Sequence, residues 1–240
     1  MTKKIKLFCL PFAGGAANIY EQWKKNLSKE IELYPINLAG RGNRIIEKPY
    51  NNLEEAVNDI FNIIKDDISE SDYAIFGHSM GALLAYELVQ KILSLGKKAP
   101  LHVFFSGRKP VHIRKTKKLY SDMNASEFKE AVLSLGVTPR EIFENPDLNE
   151  IFIPILRSDF KIAETFVERP EIVPFNFDIS VLVGKDEEIT SEEAEQWKLY
   201  TTKKCAVYYI KGGHFFLLNE QQAVIDIVNN HLHNLVAIDI

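Results

Sequence analysis

A serine framed by glycines, Gly77-His78-Ser79-Met80-Gly81, follows the apolar run Tyr73-Ala74-Ile75-Phe76 and precedes the helical run from Ala82 to Val89. A Gly-x-Ser-x-Gly turn between strand and helix is too tight for side chains at its flanking positions. Glycines fill them, and the serine hydroxyl is left exposed at the sheet edge, where it can attack a carbonyl. A hydroxyl is a weak nucleophile, so it needs a base within hydrogen-bond reach and a carboxylate to hold that base in the right tautomer. Hydrolysis through an acyl-serine is the chemistry these residues could perform.

The partners should follow Ser79 in the order acid, then histidine. Asp186 comes after Val181-Leu182-Val183-Gly184, and His214 comes after Val207-Tyr208-Tyr209-Ile210 through Gly212-Gly213, so both belong at the edge where Ser79 sits. Glu187 and Glu188 remain alternative acids beside Asp186. His102 and Asp178 each open a strand and belong at the opposite edge. His231 and His233 fall on the C-terminal helix, His112 falls in an inserted segment, and His78 should project away from Ser79 across the turn. A tetrahedral oxyanion needs two backbone donors. The amide of Met80 supplies one; the other is expected from Pro11-Phe12-Ala13-Gly14-Gly15-Ala16, at Ala13 first and Phe12 second. That glycine pair lacks the spacing of a phosphate loop. Cys9 and Cys205 lie in strand-like runs and read as buried thiols, and no His or Cys spacing suggests a metal, so none is expected.

Positioning such residues requires strands that end at one edge. Strands are expected near Ile5 to Leu10, Ile31 to Ile36, Tyr73 to Phe76, Leu101 to Phe105, Phe177 to Val183 and Cys205 to Ile210. Helices are expected near Ile19 to Leu27, Leu53 to Ile68, Met80 to Leu93, Ser191 to Tyr200 and Gln221 to Leu235. The alternation predicts an α/β fold, a mostly parallel sheet covered by helices on both faces, in one domain over 1–240. The long stretch from about 107 to 176 interrupts it. There Asn124 with Glu127 reads as a helix cap and Gly136 as a stop, Thr138-Pro139 as a second start, and Asn145-Pro146 as the start of a third helix that Pro154 should kink. Helices inserted above the carboxyl edge would form a lid over Ser79.

The bulk numbers agree with an enzyme of this kind. The 240 residues suffice for one large core, and 46% hydrophobic with 26% charged residues is the balance of a soluble globular protein. The net charge of −4 argues against a general nucleic-acid binder. The N-terminal apolar run is too short for a signal or a membrane span, so a cytoplasmic protein is expected.

Six segments together resemble the external type II thioesterases that accompany nonribosomal peptide and polyketide synthetases. In order they are Leu10-Pro11-Phe12-Ala13-Gly14-Gly15, Leu38-Ala39-Gly40-Arg41-Gly42-Asn43-Arg44, Phe76 to Ala82, Ser106-Gly107-Arg108, Pro154-Ile155-Leu156-Arg157-Ser158-Asp159 and Gly212-Gly213-His214-Phe215-Phe216. The resemblance implies an α/β-hydrolase fold with a helical lid, a triad of Ser79, Asp186 and His214, and removal of stray acyl groups from the phosphopantetheine arm of carrier proteins. One departure is the run Asp186-Glu187-Glu188-Ile189, where relatives often carry an apolar or proline-containing stretch after the acid. The resemblance implies no cofactor of the enzyme's own, since phosphopantetheine travels with the substrate. A basic run at the start of the lid, including Arg108, Lys109, Lys115, Lys117 and Lys118, is expected to attract an acidic carrier protein. No nucleic acid or membrane is expected as a partner, and the chain is expected to be monomeric. The competing readings are a general serine esterase or lipase on the same fold and a non-catalytic acyl-binding protein.

Overall fold

The computed structural model describes residues 4–113, 119–166 and 171–236. Six strands form one parallel sheet: β1 (Ile5–Leu10), β2 (Ile31–Pro35), β3 (Asp72–His78), β4 (His102–Ser106), β5 (Asp178–Gly184) and β6 (Cys205–Ile210), in the spatial order β2-β1-β3-β4-β5-β6. The chain steps from β1 outward to β2, returns to β3 on the other side of β1, and from there moves steadily away. The reversal falls between β1 and β3, and in parallel sheets the crevice at such a reversal is where ligands bind, beyond the carboxyl ends of the strands.

The strands carry near-continuous apolar sequence because helices cover both faces. On one face Phe8, Leu10, Ile75, Phe105 and Val181 pack against α1 (Leu53–Glu70) and α2 (Met80–Ser94). On the other, Leu7, Cys9, Phe76, Phe104 and Leu182 pack against Tyr20, Trp23 and the last helix. Helix α1 starts where the Glu55 amide donates to the Asn52 side chain at 2.9 Å. The helix expected near Ile19 to Leu27 is a 3₁₀-helix over Ala17–Lys25. Its buried residues Ala17, Tyr20 and Trp23 recur every three positions, which matches three residues per turn and puts all three against the sheet.

Between β4 and β5 lie α3 (Ala125–Ser134), α4 (Glu141–Glu144) and α5 (Pro146–Glu164). The Asn124–Glu127 capping box opens α3 and Asn145 caps α5, whereas α4 begins after Arg140 rather than at Thr138. The α5 hydrogen-bonded span runs on through Pro154. Phe128, Val132, Leu156 and Phe160 form a small core of their own, with Ala13 packed against it. The chain ends with α6 (Ser191–Glu195), which passes into a 3₁₀ turn over Gln196–Tyr200, then α7 (Phe216–Asn219) and α8 (Gln221–Val236). Among the described residues no helix is long and apolar enough to cross a membrane.

A polar cluster lies far from the serine, near the amino end of β4. The Ser180 hydroxyl meets His102 Nε2 at 2.9 Å and His231 Nε2 at 3.1 Å, the Tyr208 hydroxyl lies 2.8 Å from the same His231 nitrogen, and the two imidazoles lie with centroids 4.6 Å apart, tilted by 36°. Burial, with the neighbouring His231 adding to it, pushes His102 down to about 3. Burial also lowers His231, against the opposing pull of Asp178. A histidine that resists protonation only when folded leaves the unfolded chain binding more protons below its ordinary pKa of about 6.5. Stability is therefore full above that pH and falls as pH drops below it. Between pH 7 and pH 5 the His102 contribution should fall by about 2 kcal/mol. Urea unfolding at the two pH values should show a loss smaller by that amount in His102→Gln, and an equal loss in both proteins would contradict the assignment.

Candidate active site

Ser79 occupies the sharp turn from β3 into α2 with φ 56°, and among the described residues it is the one non-glycine residue at positive φ. Its amide donates to Ser106 O at 2.8 Å, and its carbonyl accepts from the amides of Ala82 and Leu83. A Cβ on Gly77 would stand 2.1 Å from Gly81 O, and one on Gly81 would stand 2.2 Å from Leu10 O, so neither position admits any other residue without displacing backbone. The sequence requirement for both glycines is thus steric.

His214 follows β6 across Gly212-Gly213, and its Nε2 lies 2.9 Å from Ser79 Oγ. Its Nδ1 meets a Glu187 carboxylate oxygen, while the other Glu187 oxygen accepts from the Gly184 amide at 3.1 Å. The acid expected from sequence, Asp186, is exposed, and among the described residues the carboxylate bonded to His214 is that of Glu187 instead. The backbone explains the difference. After β5 the amides of Lys185 and Asp186 still donate to Ile210 O and Gly212 O, continuing the pairing with the β6 side, and the turn closes only when the Glu187 amide donates back to Gly184 O. Glu187 is the side chain that the closing turn brings to His214, and it is only 6% exposed against 32% for the histidine. Glu188, the third carboxylate in the run, is exposed.

The expected donors have the right vacancies. Met80 is the first residue of α2, where an amide has no partner within the helix. In the loop after β1 the Gly14 amide donates to Asp159 Oδ2 at 2.8 Å and the Gly15 amide donates to Phe12 O at 2.9 Å. Both glycine amides are therefore committed, and among the described residues the amides of Ala13 and Phe12 donate to no group. Phe12 itself is buried, its ring 5.0 Å from Phe215 and 6.0 Å from His78.

The remaining histidines lie apart from the serine hydroxyl. His78 Nδ1 is 2.8 Å from Ser106 Oγ, and burial, reinforced by nearby His214, holds its pKa well below the ordinary value. His112 contacts Tyr200 and Gln196. Cys9 is fully buried, which pushes its thiol pKa well up, and burial raises Cys205 to about 11, so both stay protonated and poorly nucleophilic at neutral pH.

Two members of the basic run, Arg108 and Lys109, are engaged within the fold. Arg108 is turned inward, Nη2 donating to Ala163 O at 3.3 Å, and burial lowers its pKa to about 10. Lys109 pairs with Glu193 at 2.7 Å. Lys115, Lys117 and Lys118 lie outside the described residues.

With the geometry in place, the likenesses to known proteins are informative. The profile of the thioesterase domain family matches residues 5–232. The gramicidin S biosynthesis protein GrsT of Aneurinibacillus migulanus is 33% identical over 235 residues, covering 98% of this chain and 91% of its own length. Among solved structures, ClbQ from the colibactin NRPS/PKS pathway superposes with a TM-score of 0.91 at 32% identity, covering 98% of this chain and all of its own. BorB, the type II thioesterase from the borrelidin biosynthetic cluster, does so with 0.84 at 29% identity, covering 97% and 94%. The architecture expected from sequence, an α/β-hydrolase fold, is the one these neighbours share.

Glu187 and Asp186 can be separated directly. Glu187→Gln should slow Ser79 labelling by a fluorophosphonate and hydrolysis of an aryl ester by about 10²–10⁴-fold, whereas the exposed Asp186→Asn should stay within about twofold. The reverse pattern would return the acid role to Asp186.

Proposed function

This chain belongs to the thioesterase domain family, and on that premise we propose that it hydrolyses acyl groups from the phosphopantetheine arm of carrier proteins in nonribosomal peptide or polyketide synthesis. The observation that carries the proposal is the Ser79 Oγ to His214 Nε2 contact of 2.9 Å, with Glu187 on the far side of the imidazole. The pathway descriptions of ClbQ and GrsT supply the substrate class.

In the proposed cycle Glu187 accepts a hydrogen bond from His214 Nδ1–H, which holds the tautomer whose Nε2 lone pair faces the serine. His214 removes the Ser79 proton as Oγ bonds to the thioester carbonyl carbon, and the amides of Met80 and Ala13 stabilise the tetrahedral oxyanion. Collapse breaks the carbon–sulfur bond and expels the pantetheine sulfur. A thiol ionises at about pH 8.5, so it leaves with less help from the imidazolium than an alkoxide would need. The imidazolium proton goes to the departing thiolate. Water then attacks the acyl-serine with His214 again as base, releasing a carboxylic acid and regenerating the Ser79 hydroxyl.

The enzyme uses no cofactor of its own in this reading, and the phosphopantetheine arrives with the carrier protein. It works as a monomer in the cytoplasm, where synthetases reside. The helices between β4 and β5 act as the lid: Leu156 and Asp159 of α5 lie against the loop that holds the Ala13 amide.

The test is single-turnover release from acetyl-phosphopantetheinyl carrier protein followed by intact mass, with wild type beside Ser79→Ala. Loss of the 42 Da acetyl mass (about, by composition) only with the serine present is the expected result. Retention of the acetyl group by both, with simple esters still cleaved by wild type, would replace the carrier-protein reading with a general serine esterase.

A further inference from the structure

The loop that offers the Ala13 amide is held by a buried ion pair that the cycle above does not use. Asp159 of α5 is fully buried, and Arg41, in the segment after β2, is 3% exposed. Arg41 Nη1 donates to Asp159 Oδ2 at 2.6 Å and Nη2 to Oδ1 at 2.8 Å, a two-pronged pairing between groups 118 residues apart. Each partner also grips the loop. Asp159 Oδ2 accepts the Gly14 amide at 2.8 Å, and Arg41 Nη1 donates to Gly15 O at 3.1 Å.

From these contacts we infer that Asp159 and Arg41 are positioning residues for the oxyanion donor at Ala13. The inference rests on the hydrolase reading given above. Phe12 to Gly15 is a tight turn closed by the Gly15 amide on Phe12 O, with Gly14 at φ +79° in its third position. Positive φ there is the mark of a type II turn, which differs from a type I turn by a flip of the central Ala13–Gly14 peptide. The Gly14 N–H belongs to that peptide, and Asp159 holds it. A Cβ on Gly14 would also stand 2.6 Å from Leu156 Cδ2, one turn before Asp159 on the same helix, so α5 rests directly on the turn. The peptide that follows the donor residue is thereby fixed from a helix in a different part of the chain, and the turn that carries the Ala13 amide is held with it.

Electrostatics explains why the acceptor comes paired. A lone buried carboxylate bonded to Gly14 would repel the negative charge that develops on the oxyanion at the neighbouring Ala13 amide, because charges interact strongly where water is excluded. The Arg41 guanidinium cancels that charge while leaving the acceptor in place.

Two variants test the inference. Asp159→Asn weakens the pair. The double variant Arg41→Met with Asp159→Leu replaces both charges by apolar groups of similar reach, a change that buried pairs often tolerate without loss of stability. Both are compared with wild type at temperatures equally far below each protein's own Tm. The readouts are kcat and KM for acetyl-phosphopantetheinyl carrier protein, and inhibition by a pantetheinyl trifluoromethyl ketone, whose serine adduct carries an oxyanion, against inhibition by an unreactive pantetheinyl thioether. The expected result is a fall of about 10–100-fold in kcat with KM little changed. The trifluoromethyl ketone should bind more weakly by a similar factor while the thioether does not. Unchanged kcat and ketone binding in a folded double variant would overturn the inference, as would a loss confined to KM or one that merely tracks the unfolded fraction. A wild-type protein that releases no acetyl group would instead overturn the hydrolase reading on which the inference stands.

Discussion

The backbone at Ser79 is the constraint on which the rest of the site depends. A serine at φ 56° is a strained conformation of a kind that costs about 1–3 kcal/mol. It persists because its surroundings leave no alternative. Ser106 O takes its amide, α2 takes its carbonyl, and the glycines on either side let backbone meet backbone at distances no Cβ could share. The Ser106 acceptor is in place because β3 and β4 run in parallel register with His78 opposite Ser106. Gly81 also presses on Leu10 O, at the end of β1. Ser79 and the loop after β1 therefore come from adjacent strands in direct backbone contact, and no flexible connection sets their separation.

The same crowding governs the charge around His214. Its ring lies 5.2 Å from that of His78, and both would be cations if both were protonated. Burial, reinforced by the neighbouring His214, keeps His78 neutral. In the proposed cycle the His214 ring has the Glu187 carboxylate at Nδ1 and an uncharged ring beside it. The histidine of the Gly-His-Ser motif, His78, thus contributes by staying uncharged.

Much of this was legible from residue types alone, because strand ends and glycines carry their own physical signatures. All six strands and the Ser79 and His214 positions follow from apolar runs that stop at turn residues. The acid did not. Nothing in Gly184-Lys185-Asp186-Glu187 reveals how far pairing with the β6 side continues past β5, and because Lys185 and Asp186 are still paired there, Glu187 is the residue left in the closing turn. The helicity of Ala17–Lys25 was legible but its type was not, since a spacing of three suits either helix until packing decides. The pairing of Lys109 was hidden for a related reason: its charge is met by Glu193, 84 residues away, and composition does not register partners at that separation.

The Arg41–Asp159 pair belongs to this last class, although both residues lie within the segments that carried the family resemblance. A buried ion pair is weak evidence for stability, because desolvating two charges offsets much of their attraction. Its value here must lie in what an apolar pair could not do. Leucine and methionine could fill the same space beneath the turn, but neither could accept the Gly14 amide or donate to Gly15 O. The pair specifies one orientation of a peptide that has two, next to an amide whose direction decides whether a developing charge is met. Polar groups buried at this site are thus better explained by the geometry they impose on backbone than by the energy of their own contact.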